Sequence, residues 1–237
     1  MRSLLFRETQ PVDSERRWVK QNRNALRVGL GPDVLAAKGT MTSYLGDVAF
    51  HHEKSGSMGK LAKKVVTGED VSLMRVSGQG QVWFAQNAGY VFTIDLENEG
   101  ISLNFRNLLA FDATLTWDIN RIKGAGIMAG NGLFNTTVGG TGTVGINSIG
   151  RPVVLDCSKA PVSVDPHSAV AWSANLAPTV NNSMNMSSML RGGSGEAIQY
   201  VFHGPGFVVI QAYEWTAVQQ AENKGKGAIS GAINLFT

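Results

Sequence analysis

The stretch "VSGQGQVWFAQ", Val76 to Gln86, places two glycines one residue apart and then runs into apolar residues. The same pattern returns as "VGGTGTVGINS" from Val138 and as "FHGPGFVVIQA" from Phe202. The glycines of the three copies are Gly78 and Gly80, Gly140 and Gly142, and Gly204 and Gly206. The spacing from the first copy to the second almost equals that from the second to the third. A motif that recurs at such a regular interval indicates an internally repeated fold.

A second element recurs between these copies. "LNFRNLLAFDATL" (Leu103 to Leu115) aligns without gaps to "VDPHSAVAWSANL" (Val164 to Leu176), at nearly the same spacing. The earlier stretch Leu30 to Met41 fits the same pattern with one residue fewer. The sequence therefore predicts three tandem units, at about residues 28–84, 101–146 and 162–212.

Composition and local pattern both favour an all-β class. The chain has 28 glycines and only 16% charged residues, below the roughly 25% typical of soluble domains. Its apolar segments are short, rich in β-branched and aromatic residues, and bounded by Gly, Pro or Asn. Each Gly-x-Gly sits between two such segments, so it predicts a hairpin turn or G1 bulge in which glycine supplies a positive φ. Pro205 inside the third copy agrees with a turn.

The domain limits follow from the repeats. Residues 1–24 form a basic lead-in, residues 25–215 a single triplicated β domain, and residues 216–237 a Lys/Gly-rich tail. Within the chain, Asp13 to Val28 is compatible with a helix or a strand, and Met58 to Val66 with a short helix or a basic loop. The polar, methionine-containing stretch Val180 to Gly195 is expected to be a loop.

The positive charge is local, although the net charge is only +3. One cluster lies in the lead-in and the other between Lys54 and Lys64. Such clusters suit anionic lipid or nucleic acid, and they are equally compatible with ordinary solvated surface. The candidate contacts to an anionic surface are Arg16, Arg17, Lys20, Lys60, Lys63 and Lys64.

No residue pattern indicates catalysis. Gly140, Gly142 and Gly145 match G-x-G-x-x-G formally, but strand-like sequence follows where a dinucleotide site needs a helix. Adjacent His51 and His52 would point to opposite faces of a strand, and no H-x-H or G-x-S-x-G pattern occurs. We therefore expect no enzyme activity, no cofactor and no metal. Most aromatic residues lie inside the strand patterns, which argues against a nucleic-acid surface. The exception is Trp18, which lies among arginines and lysines in the lead-in.

The compartment is predicted from Cys157 and from the apolar runs. A single cysteine rules out an intramolecular disulfide and agrees with a reducing compartment, and its apolar setting predicts a buried side chain. The first apolar run is too short for a signal-peptide core, and no window approaches the length of a membrane-spanning segment. We expect a cytoplasmic protein, with peripheral membrane association left open.

The repeated motifs resemble those of a known family. "GEDVSLMRVSGQGQVWFAQNAG", "NLLAFDATLTWDI" and "GSGEAIQYVFHGPGFVVIQ", in this order, are similar to the altered-inheritance-of-mitochondria family of mitochondrial biogenesis. Because the sequence shows no mitochondrial presequence, we expect a bacterial member. The resemblance covers roughly Ala25 to Ala212. It implies a fold like that of the tryptophan RNA-binding attenuator protein (TRAP-like). That fold is a set of short double-stranded β-helix sandwiches, here three tandem units about a pseudo-threefold axis. It implies no catalytic residues.

Three functions remain open from the sequence. The first is a non-enzymatic scaffold that forms a homo-oligomer or binds a protein partner, since sheet edges and a weakly charged surface favour association. The second is a peripheral membrane or envelope-associated factor that binds anionic lipid through the basic clusters. The third is a module that binds RNA or a small ligand.

Overall fold

Most of the described chain is antiparallel β-sheet. The computed structural model describes residues 3–53, 72–122, 134–182 and 198–213. Within these ranges, helical structure is limited to α1 (Leu5–Glu8) and a 3₁₀ turn (Phe105–Asn107). The all-β class predicted from composition is confirmed.

The strands run in chain order from the lead-in to the third glycine motif. They are β1 (Trp18–Lys20), β2 (Leu26–Leu30), β3 (Val34–Ala37), β4 (Met41–His52), β5 (Leu73–Phe84), β6 (Tyr90–Leu103), β7 (Leu108–Asp112), β8 (Thr116–Arg121), β9 (Phe134–Ser148), β10 (Val153–Asp156), β11 (Val162–Val164), β12 (Ala169–Ser173), β13 (Thr179–Asn182), β14 (Ile198–Phe202) and β15 (Phe207–Ile210). Of the two alternatives for Asp13 to Val28, the strand is the one observed.

Two sheets contain these strands. The larger has the order β1-β2-β5-β3-β7-β9-β6-β12-β15-β10, with β4 also paired to β5 and β8 to β9. The smaller has the order β11-β14-β13. Consecutive parts of the chain thus lie side by side in one continuous sheet.

The Gly-x-Gly motifs lie at strand bends. Of the two predicted alternatives, the hairpin turn is wrong for two of the three copies, and a bulge lies opposite the second motif, between Glu97 and Glu99. Gly78 and Gly80 are inside β5, and Gly140 and Gly142 are inside β9. Gly204 and Gly206 alone lie between two strands, β14 and β15. At the first motif the strand changes one partner, because the first part of β5 pairs with β3 and its last part pairs with β2.

Glycine is needed at these bends for two reasons. All six motif glycines have a positive φ, as the sequence predicted. In addition, a Cβ atom on Gly78 would collide with the carbonyl oxygen of Asp47, and one on Gly80 with that of Leu45. The bend therefore brings the backbone of β5 too close to β4 for any side chain.

Two strand pairs that join successive parts of the chain have the same register. At the first junction, β3 pairs with β7, so that Val34 is opposite Asp112 and Ala36 is opposite Ala110. At the second junction, β6 pairs with β12, so that Ile101 is opposite Ser173 and Leu103 is opposite Ala171. Asp112 and Ser173 also hold the same column when Leu103–Leu115 is aligned to Val164–Leu176.

The alignment of the first copy, Leu30 to Met41, is wrong by seven residues. Leu30 is opposite Gly80 on β5, and Leu96 is opposite Gly142, the corresponding glycine on β9. Met41 begins a register shift opposite Phe84, and Leu108 begins the same shift opposite Ile146. Leu30 therefore corresponds to Leu96, and the sequence alignment matches it to Leu103. Alternating apolar residues look alike at several offsets, so sequence pattern alone does not determine this register.

The buried side chains form three clusters rather than one. They are centred on Phe84 and Val28, on Phe111 and Leu103, and on Tyr200 and Phe202. Each cluster is covered by strands of the large sheet, and the third also by β14 of the small sheet. The junction strands β3, β7, β6 and β12 connect the clusters.

Candidate interaction surfaces

The lead-in covers the first junction and fills a groove between β2 and β9, which we call the first groove. Strand β1 pairs antiparallel with the outer edge of β2, with Trp18 opposite Val28. Arg17 donates from Nε to Gly29 O at 3.1 Å and from Nη2 to Pro32 O at 2.7 Å, and its Nη1 contacts the Asp112 carboxylate. Trp18 Nε1 donates to the same carboxylate at 3.1 Å. This arginine–tryptophan pair fastens the lead-in to the sheet.

Arg17, one of the predicted contacts to an anionic surface, thus holds the lead-in to the sheet. Its guanidinium donors are already used within the protein, and so are those of buried Arg27, which donates to Val12 O and Ser14 O. The Lys20 ammonium lies 3.5 Å from the centre of the Tyr90 ring. Arg16 is exposed. The remaining candidates, Lys60, Lys63 and Lys64, lie outside the described residues.

A second groove lies at the second junction, between the first half of β6, β10 and β15. Two adjoining cavities of about 400 and 530 Å³ form it, and both are lined by Ile94 and Phe207. The smaller cavity is mostly apolar, with Phe92, Val154 and Val209 in its walls. The larger cavity contains more polar groups, among them Glu99 and Ser173.

The second groove corresponds in register to the first. Ile94 is opposite Val144 on β9, just as Val28 is opposite Val82 on β5. Ser173 Oγ accepts a hydrogen bond from Phe207 N at 3.1 Å. The Asp112 carboxylate accepts the matching bond, from Thr143 N, at 2.8 Å. The two grooves differ in that β1 occupies the first one.

Strand β4 presents a long open edge. It pairs with β5 along one side, and no other described strand pairs with it. Tyr44 is 52% exposed and Leu45 is 66% exposed on this strand. Phe111 and Trp172 hold the register position of Tyr44 on β7 and β12, and they are 0% and 3% exposed. All three strands thus have an aromatic residue at this position, and of the three only Tyr44 is exposed.

Sequence reasoning missed Tyr44, Asp112 and Ser173. A signal for them was present, because Tyr44, Phe111 and Trp172 fall into one column when the first copy is shifted by seven residues. The residues that directly follow them form the next column, which contains Leu45, Asp112 and Ser173. The misplaced alignment hid this correspondence.

The groups considered for catalysis are not brought together. Among the described residues, no group of three or more His, Cys, Asp and Glu side chains is placed to hold a metal ion. Gly140, Gly142 and Gly145 all lie in β9, so the helix that a dinucleotide phosphate needs does not follow them directly. Cys157 is buried, and this burial raises the pKa of its thiol. No helix in the described ranges has the length and apolar character to cross a bilayer.

Comparison with known proteins identifies the family. A family model described as Mitochondrial biogenesis AIM24 matches residues 18–213. The chain belongs to the AIM24 family. The match begins at Trp18, so the part of the lead-in that forms β1 falls inside the region that defines AIM24 proteins.

Two bacterial proteins are similar to this AIM24 chain. An uncharacterized protein of Streptococcus pyogenes serotype M6 is 25% identical over 194 residues, which is 77% of each chain. An X-ray crystal structure of a Streptococcus pyogenes protein superposes with a TM-score of 0.66 at 23% identity, covering 89% of this chain and 97% of that one. The second likeness supports the fold.

Proposed function

We propose that this AIM24 protein is a non-enzymatic scaffold that associates with copies of itself through the open edge of β4. The observation that carries the proposal is Tyr44, an exposed aromatic at the position where Phe111 and Trp172 are buried. A long, weakly charged strand edge with exposed apolar side chains is a template for another strand.

The proposed architecture behind this function is three TRAP-like units related by a pseudo-threefold axis. Its support is the repeated register of the two junctions and the register shift found at the start of β4, β7 and β12. In such a unit, one strand of each copy pairs with the next copy. Strand β3 does so at the first junction, and β6 does so at the second.

The strand that completes the pattern is β11. Val162 is opposite Phe202 on the third glycine-motif strand, just as Val34 is opposite Val76 on the first. Strand β11 pairs with β14, and no other described strand pairs with it. We propose that β11 of a second copy pairs antiparallel with β4, placing Val162 opposite Leu45 and Ser163 opposite Tyr44.

Light scattering of the purified protein over a concentration series tests this assembly. The wild-type protein is expected to exceed the mass of one chain, and Leu45→Lys is expected to shift it toward the monomer, because a charge would be buried at the paired edge. The matched control is Val153→Lys, which places the same charge at another exposed apolar residue, on β10.

A charge exchange tests the pairing itself. The double variant Leu45→Lys/Val162→Glu is expected to recover the association that Leu45→Lys loses, since opposite charges in a cross-strand pair attract. A protein that is monomeric at all practical concentrations, or whose association is unchanged by Leu45→Lys, would contradict the proposal.

A further inference from the structure

The first groove provides the template for interpreting the second. In the first, an extended segment adds to the outer edge of β2, with Trp18 opposite Val28 and Lys20 opposite Leu26. Val28 corresponds in register to Ile94, and Leu26 corresponds to Phe92. The same addition on β6 would therefore use the edge between Phe92 and Ile94, which lines the smaller, apolar cavity.

This edge of β6 is open along most of its length. Val91 N donates to Arg23 O at 2.8 Å at one end, and β12 pairs with Ile101–Leu103 at the other. Between them, no described strand pairs with residues 92–96 on the side away from β9. Unpaired backbone groups beside an apolar cavity match the way extended peptides are bound by sheet edges.

The walls of the second groove suit an aromatic residue next to a cation. In the first groove, the Trp18 ring lies against Gly145. Val209 holds the corresponding position, and a Cβ on Gly145 would lie 3.0 Å from the Trp18 ring, so an aromatic residue in the second groove lies beside Val209 and not in the exact place of Trp18. The space for it is the apolar cavity of about 400 Å³, which Val209 lines together with Phe92 and Ile94. The larger cavity adds the exposed carboxylate of Glu99, which can accept from a guanidinium as Asp112 does for Arg17.

We propose that the second groove binds an extended segment of a partner protein, in which an arginine precedes an aromatic residue. The segment adds antiparallel to β6, as β1 adds to β2. Its aromatic side chain enters the cavity lined by Phe92, Ile94 and Val209, and its arginine lies toward Ser173 and Glu99. This binding is separate from the association through β4.

A synthetic peptide that copies Ser14–Asn24 is the probe, because this sequence already fits the first groove. Its binding to the full chain is followed by fluorescence anisotropy at physiological salt. The expected result is saturable binding of one peptide per chain. The Ser173→Asp variant supplies the carboxylate found at Asp112, and should tighten binding about tenfold through a charge-assisted hydrogen bond.

The controls separate the second groove from other sites. A peptide carrying Arg17→Gln should lose the gain that Ser173→Asp produces. Gln79→Glu adds the same charge at an exposed position on β5 and should leave binding unchanged. Ile94→Lys should weaken binding at least tenfold. The proposal is overturned if neither the wild type nor Ser173→Asp binds the peptide, or if Ser173→Asp leaves its affinity unchanged.

Discussion

At the scale of single residues, one carboxylate determines how the lead-in is held. Asp112 contacts Arg17, accepts from Trp18 Nε1 and also accepts from Thr143 N at 2.8 Å. The corresponding residue at the second junction is Ser173, which retains only the backbone bond, to Phe207 N. The filled groove thus has a carboxylate that holds Arg17 and Trp18, and the open groove has a hydroxyl at the same position.

The Asp112→Ser substitution tests this difference. Serine can keep the bond to Thr143 N, but Arg17 and Trp18 lose their acceptor. We expect the free energy of unfolding to fall by about 1.5–3 kcal/mol, the range for a hydrogen bond to a charged group. Chemical denaturation measures it, and Asp47→Ser on the exposed part of β4 is the control. A loss no larger than that of the control would show that these contacts of the lead-in add little stability.

Lys20 affects the pKa of Tyr90. A hydrogen bond from Lys20, followed by its positive charge, lowers the pKa of the Tyr90 hydroxyl below its ordinary value. Lys20→Met is expected to raise that pKa, because the phenolate loses its nearest cation. Ultraviolet titration of the tyrosines follows the change. An unchanged titration curve would show that the lysine does not stay at the ring in solution.

At the scale of strands, the glycine motifs are the points where a strand leaves one neighbour for another. Gly78 and Gly80 divide β5 into a part that pairs with β3 and a part that pairs with β2, while β4 stays paired with both parts. Both glycines have a positive φ, a backbone angle that other residues resist.

The sequence allowed the motif to be found but not its geometry to be assigned. Its recurrence and its positive φ followed from the glycines themselves. Whether the chain reverses or continues past Gly80 depends on the partner strand β4, whose paired residues are distant in sequence. For the same reason, the open edges of β4 and β6 were not predictable, since an edge is defined by what fails to pair with it.

Gly80→Ala tests the need for glycine at the bend. Alanine there would combine a strained φ with a collision against Leu45 O, so we expect a loss of roughly 3 kcal/mol in stability. Gly31→Ala is the matched control, because no φ strain applies there and no atom lies within 4 Å of the added carbon. Thermal unfolding compares the two. Equal effects would contradict the assigned bend.

At the scale of the whole molecule, an aromatic residue occupies the same position on three strands, and its surroundings differ. Phe111 is buried at the first junction and Trp172 at the second, and Tyr44 remains exposed on β4. Two different strand edges are therefore left without a partner among the described strands, one on β4 and the other on β11.

Substitution at this position measures the asymmetry directly. Phe111→Ala is expected to lower the free energy of unfolding by about 3–5 kcal/mol, because it empties a fully buried site. Tyr44→Ala should change it by less than about 1 kcal/mol in dilute protein, where the residue is solvated. Urea denaturation at low concentration gives both values. Comparable losses would mean that Tyr44 is covered in solution.

The open edges of β4 and β11 differ, and this difference determines how an assembly of copies can grow. If copies join as proposed, β4 of one to β11 of the next, an assembly that has not closed keeps one free edge of each kind. Such head-to-tail contacts close into a ring when the rotation between copies divides a full turn, and otherwise extend as a helical filament. In the open case, copy number would be governed by protein concentration and by whatever binds the terminal edge. A small amount of a variant blocked at one end alone, such as Leu45→Lys, would then act as a chain terminator.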